Sequence, residues 1–442
     1  NLRSGVGLYV AHPPGLGKTR TAITISQIMK AHRVLVLCPK SVKAVWRDEI
    51  KKWSAGEECP GPFDEPWYIS MCSGEDWRIT NYDQIVSKVH EKALAQWQPD
   101  MLILDEAHRA KGIRTLRSLA VRRLAKNIPY RLALSGTPSH SPLDWLAQYK
   151  TLAPTHPLWS QSFTSYRNRV AILGGPYGNW VQGFDPTGMA EALEATRPFT
   201  HVANKDVLNL LEPIETIIPV ELDKDERAAY DRMKKELFIE FANGDIADAT
   251  TVLTKILRLQ QITSGFVSST GGIRRIGTSK LDACMELIEE REGSQIVVAC
   301  RFLEDIEALK ARCGWTTNED GSFNTWKKPV VITGGISEKS RYWAQRNFQD
   351  GHANIAIVQP KAGGVGIDLS AASTLILFSA ELSTIVWEQM LGRVWRPGQK
   401  GAVQVLPLVA ERSVDSLIYN GLKYKMEATG LVKLLLEYLK RG

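Results

Sequence analysis

A glycine-rich turn near the start of the chain carries the residue types that bind a polyphosphate. It follows the apolar residues 7–11 and ends in Gly17-Lys18-Thr19. Glycines let a backbone close round phosphate oxygens, a lysine supplies charge to the β- and γ-phosphates, and a threonine hydroxyl completes a Mg²⁺ shell. The phosphate-binding residues predicted from this turn are Pro14, Gly15, Leu16, Gly17, Lys18 and Thr19. The alternative is a turn that only joins a strand to a helix, since His12 stands where the motif usually begins with glycine.

Two adjacent carboxylates form a second candidate centre. Asp105 and Glu106 directly follow the apolar run 101–104. Successive side chains leave a strand in different directions, so Asp105 can hold Mg²⁺ while Glu106 orients an attacking water. Chance on a surface loop is the weaker explanation, because the pair follows an apolar strand in a chain that already has a phosphate-binding turn. The later segment Ser135-Gly136-Thr137-Pro138 suits either a relay that shifts when the γ-phosphate leaves or an ordinary turn.

A third set of polar residues lies on the helix predicted after Ser383. The apolar stripe of this helix consists of Trp387, Met390, Leu391 and Val394. At about 100° per residue, Gln389, Arg393 and Arg396 fall on a different face, roughly opposite that stripe. Packing therefore does not account for the two arginines, whose planar guanidinium groups suit a clamp on a γ-phosphate. A solvated basic face is the alternative, and the phosphate turn and paired carboxylates favour the clamp.

Alternating strands and helices must position these side chains. Apolar runs at residues 33–38, 101–104 and 131–134 each lead into a turn, and the alternation returns after residue 295. Such alternation predicts an α/β fold of parallel sheets covered by helices, with ligands at the carboxyl ends of the strands. Lys40 and Ser41, which follow the first run, could contact a backbone phosphate at that edge.

Aromatic residues occur in two segments, where they could pack in a core or stack on nucleic-acid bases. Trp46 and Trp53 fall at helical spacing and are predicted to pack in the core. Residues 155–198 break the alternation and predict an accessory insertion, whose Trp159, Tyr166 and Trp180 either form a small core of their own or stack on bases. The segments that follow are predicted as a linker at 205–219, helices at 223–243 and 249–261, and a loop at 265–277.

Composition limits the class of protein. The chain of 442 residues exceeds the size of one hydrophobic core, so at least two domains are expected. No apolar run approaches the roughly 18 residues that span a bilayer, and the net charge of +7 favours a polyanionic partner such as nucleic acid. The six scattered cysteines predict neither a zinc site nor a disulfide framework, and favour reduced thiols in an intracellular protein. Because the chain begins with Asn1, we expect a fragment or a missing native start.

In order and spacing these segments resemble the SWI/SNF-type DNA translocases of helicase superfamily 2, over nearly the whole chain. The segments that carry the resemblance are 37–41, 105–111, 135–138, 362–369 and 389–399, the last ending in Arg396-Pro397-Gly398-Gln399. Residues 163–208 also resemble the compact annealing-helicase branch. Two departures are expected to matter: the family's adenine-reading glutamine motif lies upstream of Asn1, and Val202 and Ala203 replace the usual paired arginines.

The resemblance implies two RecA-like lobes, each a parallel sheet covered by helices with small helical insertions. They would comprise residues 1–204 and 220–442, joined by the linker 205–219. The implied activity is a nucleic-acid-stimulated ATPase that uses ATP and Mg²⁺ in a cleft between the lobes to translocate on double-stranded DNA. A strand-separating or annealing helicase and a nucleotide-switched DNA-binding scaffold are the alternatives.

The same resemblance assigns roles to individual residues. The catalytic residues are Lys18, Asp105, Glu106, Gln389, Arg393 and Arg396; the metal ligands are Thr19 and Asp105; Gly366 and Asp368 join the residues of the turn in binding the nucleotide. The nucleic-acid contacts are Lys40, Ser41, Thr80, Asn81, Arg301, Thr333, Gly334 and Lys361. The expected partner is double-stranded DNA, with single-stranded or branched DNA as alternatives, for a monomeric motor outside the membrane. Its compartment would be the cytoplasm of a bacterium or of a virus-infected cell, or a eukaryotic nucleus.

Overall fold

The computed structural model of the chain consists of two compact units, Asn1–Asn209 and Leu210–Gly442. The structure describes residues 5–13, 15–54, 58–59, 67–72, 74–136, 141–175, 180–203, 210–242, 249–269, 272–314, 328–361, 367–397, 399, 401–424, 434 and 438. The boundary between the units falls within the segment predicted as a linker.

An eight-stranded sheet covered by helices forms the first unit. Its strands and those of a separate antiparallel pair are β1 (Leu8–Ala11), β2 (Arg33–Cys38), β3 (Glu58–Cys59), β4 (Tyr68–Met71), β5 (Asp76–Asn81), β6 (Met101–Asp105), β7 (Tyr130–Leu134), β8 (Ala171–Gly174), β9 (Trp180–Phe184) and β10 (Thr200–Val202). Its helices are α1 (Lys18–Ile28), α2 (Lys43–Trp53), α3 (Lys88–Gln96), α4 (Leu116–Ala125), α5 (Pro142–Leu152), α6 (Phe163–Val170) and α7 (Pro186–Thr196). Short 3₁₀ turns occur at Lys40–Val42, Gln84–Val86, Ala107–Ala110 and Arg197–Phe199. The sheet order is β10-β1-β7-β6-β2-β5-β4-β3.

Parallel pairing aligns the carboxyl ends of the central strands along one edge of the sheet. The strands from β10 to β5 in this order run parallel, and the edge pairs β5–β4 and β4–β3 are antiparallel. Val10 of β1 is opposite Leu134 of β7, and Leu134 is opposite Asp105 of β6. The carboxyl ends of these three strands therefore lie side by side, and the turns that follow share one edge of the sheet.

The aromatic residues of the 155–198 segment belong to the main core of the first unit. Trp159 and Tyr166 are fully buried, and the Trp159 ring stacks on Tyr149 of α5 with centroids 5.0 Å apart. The Tyr166 hydroxyl donates a hydrogen bond to the carbonyl of Pro142 at 2.9 Å. The prediction of a separate small core is therefore wrong for these two residues, because α6 and α7 pack on α5 and extend its core. Trp180, in contrast, is 68% exposed.

A second sheet, in which every strand runs parallel, forms the centre of the second unit. The strands of this unit are β11 (Ile214–Glu215), β12 (Ile218–Val220), β13 (Phe266–Ser269), β14 (Gly272–Arg275), β15 (Ile296–Ala299), β16 (Val330–Ile332), β17 (Ile355–Val358), β18 (Thr374–Leu377) and β19 (Gln404–Ala410). Its helices are α8 (Lys224–Ala242), α9 (Ala249–Thr263), α10 (Ser279–Glu289), α11 (Leu303–Arg312), α12 (Glu338–Gln349), α13 (Thr384–Val394) and α14 (Val414–Lys423). The sheet order is β11-β19-β18-β15-β17-β16, with β12 also on β19 and β13 paired with β14 outside the sheet.

Two predicted irregular segments of the second unit contain strands. Part of the predicted linker forms β11 and β12, which are too short to show a periodic pattern in the sequence. The predicted loop 265–277 contains the antiparallel pair β13 and β14. Its glycines allow a close backbone approach rather than an open loop: Gly265 has φ 83°, its carbonyl accepts from the N–H of Ile276 at 2.8 Å, and a Cβ on it would collide with the Gly277 carbonyl. The α/β fold class with parallel sheets is confirmed.

The cysteines only partly follow the sequence prediction. Cys38, Cys284, Cys300 and Cys313 are buried free thiols. Cys72 is disulfide-bonded, which corrects the expectation of reduced thiols, because spacing along a chain does not reveal which cysteines meet in space. Within the described part of the chain, no helix combines the length and apolar character needed to cross a membrane.

Replacing Trp159 with alanine should show that the 155–198 segment shares the main core. We expect Trp159→Ala to lower the free energy of unfolding of the first unit by about 3–5 kcal/mol, because it empties a fully buried indole site. Trp180→Ala is the matched control from the same segment, and its loss should stay within about 0.5 kcal/mol. Urea denaturation of both variants measures the difference; equal losses would contradict the assignment.

Candidate functional site

β1 delivers the glycine-rich turn to the interior of the first sheet, between β10 and β7. Gly15 and Gly17 have φ values of 90° and 66°, in the left-handed region that favours glycine. Helix α1 begins at Lys18 with Gly17 as its N-cap, and a glycine has no side chain to occupy the first free N–H groups. The turn therefore presents backbone donors to an anion, as the sequence predicts.

The ammonium of Lys18 lies over this turn. Its Nζ donates to the carbonyl of His12 at 2.9 Å and to that of Pro13 at 3.3 Å. These two bonds hold the ammonium beside the turn, where the phosphate oxygens of a bound nucleotide would lie. Thr19, the residue after Lys18, lies in the first turn of α1.

Asp105 closes β6 as a buried carboxylate. Its Oδ2 accepts from the indole Nε1 of Trp46 at 2.8 Å, and its Oδ1 accepts from the N–H of Glu106 at 3.0 Å. The hydroxyl of Tyr82 donates to its backbone carbonyl at 2.8 Å. Burial, and then the neighbouring charge of Glu106, raise the pKa of Asp105 to about 6. A cation at this carboxylate would relieve both effects, which is the chemistry that a metal ligand requires.

Glu106 adopts a backbone conformation that is rare outside glycine. Its φ and ψ are 51° and 54°, which turns the chain sharply after β6. Its Oε2 lies 3.2 Å from Nδ1 of His108, and the same nitrogen lies 3.2 Å from Oγ of Ser135. The N–H of Ser135 donates to the carbonyl of Val10 at 3.2 Å. Close contacts at Nδ1 of His108 therefore connect Glu106 with Ser135, whose N–H bonds to the strand that carries the phosphate turn.

His12, the residue in place of the usual glycine, packs against β10. Its Nε2 lies 2.8 Å from Nδ1 of His201, and the two rings meet edge to face with centroids 5.0 Å apart. Burial, then His201 and Lys18, lower the pKa of His12. No local pattern predicts this pair, because the two histidines lie 189 positions apart.

The arginines of α13 lie differently from the prediction. The stripe of Trp387, Met390 and Val394 is buried as expected, but Arg393 is also buried, 4% exposed, with its Nε donating to the Gln389 carbonyl at 3.1 Å. Arg396 lies beyond the end of the helix at Val394. The prediction of an open helix face that carries both arginines is therefore wrong.

Local chemistry explains why α13 stops before Arg396. Pro397 disfavours helical backbone at the residue before it, and Nε2 of Gln399 donates to the Val394 carbonyl at 2.6 Å. Arg396 then donates from Nε to the Gly392 carbonyl at 2.8 Å, and its Nη1 lies 3.7 Å from Oδ1 of Asp368. Two predicted site residues, Arg396 and Asp368, are thus brought together within the second unit.

The predicted nucleic-acid contacts of the first unit follow the ends of two paired strands. Lys40 and Ser41 lie in the 3₁₀ turn after β2, where Lys40 is exposed. Thr80 and Asn81 end β5 and are buried; Oγ1 of Thr80 and Nδ2 of Asn81 both donate to Oε1 of Gln84 at 2.9 Å. Their side chains therefore shape the turn, whereas Lys40 is open to a ligand.

The predicted contacts of the second unit also follow strand ends. Arg301 follows β15 and is bound internally, with Nη1 donating to Oε1 of Gln260 at 2.8 Å and Nε 3.6 Å from Oε2 of Glu381. Lys361 follows β17 and reaches the same Glu381 oxygen at 2.9 Å, although its side chain is 61% exposed. Thr333 and Gly334 follow β16, with Gly334 exposed.

Some predicted residues lie outside the described part of the chain. They are Pro14, Gly366, Thr137, Pro138 and the other residues of 362–366. Sequence reasoning missed Tyr82 and His201, gave His108 no role, and placed Trp46 in the core without its bond to Asp105. Ser135 lies in the segment predicted as either a relay or an ordinary turn. A tryptophan at helical spacing signals packing, and nothing in one sequence shows where its N–H points.

Two domain models match the chain. The SNF2-related domain matches residues 2–265, and the Helicase conserved C-terminal domain matches residues 279–398. The chain belongs to the SNF2-related family. This membership confirms the predicted SNF2-type relationship and the assignment as a helicase-like ATPase that uses ATP.

Relatives in the SNF2-related family differ in length. The putative protein p41 of Acyrthosiphon pisum secondary endosymbiont phage 1 is 25% identical over 462 residues, which cover 97% of this chain and 94% of the phage protein. The human SWI/SNF-related matrix-associated actin-dependent regulator of chromatin subfamily A member 1 is 25% identical over 470 residues. The match covers 97% of this chain and 42% of the human protein. An uncharacterized ATP-dependent helicase of Mycoplasma genitalium is 23% identical. The match covers 95% of this chain and 40% of the mycoplasma protein. The chain thus spans less than half of the human and mycoplasma proteins.

A solved structure also resembles the chain. It is the Sulfolobus solfataricus SWI2/SNF2 ATPase core in complex with dsDNA, with 22% identity, a TM-score of 0.40, and coverage of 97% of this chain and 90% of that one.

The indole of Trp46 should matter for turnover of this SNF2-family chain through Asp105. Trp46→Phe keeps an aromatic ring in the core but removes the N–H, and we expect ATPase turnover to fall by about 10- to 100-fold with a higher Mg²⁺ requirement, because the carboxylate loses its orienting partner. Trp53→Phe is the matched control on the same helix, since Nε1 of Trp53 donates to Glu49 at 2.7 Å. Steady-state ATPase assays across Mg²⁺ concentrations decide; similar losses in both variants would refute a specific role for Trp46.

Proposed function

We propose that this chain is a DNA-stimulated ATPase that uses ATP hydrolysis to translocate on double-stranded DNA. The observation that carries the proposal is the shared edge of β1, β7 and β6, where the phosphate turn, Ser135 and Asp105-Glu106 follow adjacent strands. A phosphate cradle beside a metal-binding carboxylate and a water-orienting carboxylate is what ATP hydrolysis needs.

The residues of the first unit divide the chemistry. Lys18 and the N–H groups of the turn would hold the β- and γ-phosphates, and Thr19 and Asp105 would hold Mg²⁺. Their oxygen atoms are the hard ligands that this ion prefers, and the buried, raised-pKa carboxylate of Asp105 gains from a nearby cation. Bound Mg²⁺ would neutralise charge on the phosphate oxygens. Glu106, turned away from β6 by its backbone, would orient the attacking water, with His108 and Ser135 fixing its carboxylate.

We propose that the second unit supplies the arginine that acts on the γ-phosphate. Arg396 is the better candidate of the two, because Arg393 is 4% exposed whereas the Arg396 side chain is 25% exposed. Its loose pairing with Asp368 at 3.7 Å can exchange for a phosphate without leaving a buried charge unpaired. Asp368, which pairs with Arg396, would position this arginine, and Gln389 stays a proposed catalytic residue. We propose lobes at 1–204 and 220–442; the segment 205–219 between them includes β11 and part of β12, which pair with β19 of the second unit.

Duplex DNA would lie against the strand ends that carry exposed residues. Lys40 and Ser41 in the first unit, and Gly334 and Lys361 in the second, offer charge and backbone N–H groups to phosphates. Thr80, Asn81 and Arg301 shape these turns from within. The net charge of +7 favours such a polyanion. A Schizosaccharomyces pombe relative, 23% identical, is named a DNA repair protein.

Strand separation or annealing is the second candidate. Bacterial relatives carry names that include helicase, among them the putative ATP-dependent helicase/translocase YwqA of Bacillus subtilis, 23% identical. A forked substrate with one labelled strand separates the two functions: release of that strand during ATP turnover supports a helicase, and turnover without release supports translocation.

Stimulation by nucleic acid tests the proposed function directly. We expect ATPase activity to rise with duplex DNA more than with single-stranded DNA or RNA, and duplex affinity to fall steeply with salt and depend little on sequence. Lys18→Ala is the negative control, because it removes the cation of the phosphate turn. Turnover unaffected by every nucleic acid would contradict a DNA-coupled motor, as would strong preference for one duplex sequence.

Arg396→Ala should reduce turnover by about 10³- to 10⁵-fold while nucleotide and duplex binding stay near normal, because an arginine finger acts on transition-state charge. Arg396→Lys should restore only part of the rate, since lysine lacks the planar fork. Arg274→Ala, which removes an exposed arginine of β14, is the matched control. Near-normal turnover of Arg396→Ala with DNA present would place Arg396 outside the catalytic machinery.

A further inference from the structure

A cavity of about 430 Å³ opens in the first unit, away from the nucleotide site. It lies between α4, the end of α5 and the start of β7. Its Arg131 is the second residue of β7, whereas Ser135 at the nucleotide site follows the last. At about 3.3 Å per residue, these positions are separated by roughly 13 Å along the strand. The cavity therefore belongs to the opposite edge of the sheet from Lys18 and Asp105.

The walls of this basic pocket are unusually rich in cations. Five of its nine lining residues are Arg122, Arg123, Lys126, Arg131 and Lys150, and none is acidic. The others include apolar side chains such as Leu119 and Pro154. Surface cations normally alternate with carboxylates, so five of one sign round a concavity raise its local affinity for anions.

Three of these cations have no carboxylate partner among the residues that the structure describes. Arg122 donates to the carbonyls of Ile113 and Ser118, and Lys150 to those of Ser160 and Gln161. Within the described part of the chain, no carboxylate lies within salt-bridge distance of Arg122, Arg131 or Lys150, while Arg123 pairs with Glu91 at 2.6 Å. Burial lowers the pKa of Arg122 and of Lys150, with Arg122 as a further cause for Lys150. Among the described residues, the positive charge of Arg122, Arg131 and Lys150 is thus not balanced by a paired carboxylate.

Arg131 is the most informative of these residues because it is 4% exposed. Its Nη1 and Nη2 donate to the carbonyls of Thr151 at 3.0 Å and Gly5 at 2.7 Å. Among the described residues its Nε has no hydrogen-bond partner, although this atom is buried. Burying a guanidinium without a counter-charge is unfavourable. The hydrogen bonds to the two carbonyls explain the orientation of the Arg131 side chain. A neutral amide side chain could make the same bonds, so they do not explain why a positively charged residue is buried here.

We propose that this basic pocket binds a phosphorylated small molecule. Guanidinium groups match phosphate oxygens in geometry and charge, and the apolar part of the wall suits an organic body attached to the phosphate. The volume falls in the range of about 300–1,000 Å³ that is typical of small-molecule sites. A single concave pocket suits one terminal phosphate better than the extended backbone of a duplex. The site is independent of the proposed DNA-coupled ATPase.

Calorimetric titration of AMP into the full chain tests this site. The Lys18→Ala variant is used throughout, so that binding at the phosphate turn is weakened. We expect one AMP per chain, bound at least about tenfold more tightly than inorganic phosphate because of the apolar wall, and an affinity reduced about tenfold or more by Arg122→Gln or Lys150→Gln, since each removes a charged hydrogen bond. Arg274→Ala is the matched control and should leave it unchanged.

Two further measurements keep the result decisive. Lys150→Arg retains the charge and should retain AMP binding, which separates loss of charge from loss of fold. Absence of saturable AMP binding, or binding that both glutamine variants leave intact, would overturn the proposal. Displacement of AMP by a short duplex or an acidic peptide at lower concentration than AMP itself would also overturn it, by making the pocket part of a macromolecular surface. ATPase assays on Arg122→Gln without Lys18→Ala report separately on the proposed function.

Discussion

The parallel register of β1, β7 and β6 is the constraint on which the rest of the first unit depends. Val10, Leu134 and Asp105 stand at one level across three strands, and the N–H of Ser135 continues the ladder to Val10. A slip of one residue would turn the carboxylate of Asp105 to the other face of the sheet. The strands resist this because both faces are buried, so that β2 and β6 consist almost entirely of covered aliphatic residues.

That register places like charges together, and the surrounding structure offsets part of the resulting cost. Asp105 is buried next to Glu106, and both burial and repulsion favour its protonated form. The indole of Trp46 and the N–H of Glu106 stabilise the ionised form through hydrogen bonds, and Lys18 contributes through its charge. Groups held in this condition respond strongly to an arriving cation, which is a common property of catalytic sites. The cost to folding and the readiness for catalysis have the same electrostatic origin.

The sequence predicted those parts of the structure that are written in local patterns. The phosphate turn, the strand before Asp105 and the helices α8, α9 and α13 follow from glycine placement and periodicity. It could not predict that Trp46 donates to Asp105, that His12 meets His201, or that Trp159 joins the main core, because each pairing is set by tertiary packing between distant positions. Arg396 was misplaced because helical periodicity was extended past Val394, although Pro397 argued for an earlier end. The β13–β14 pair was missed because its glycines were taken for loop flexibility rather than close approach.

The left-handed backbone of Glu106 affects which substitutions at this position would stabilise the protein. At φ 51° a glycine would relieve the strain that glutamate bears, and it would also remove one of two repelling carboxylates. A library screened only for heat resistance would therefore enrich glycine at position 106 and discard the glutamate that we propose orients water. Selection for stability alone favours glycine at this position, whereas selection for turnover favours glutamate. If glutamate is retained in stabilised variants, turnover has been selected as well.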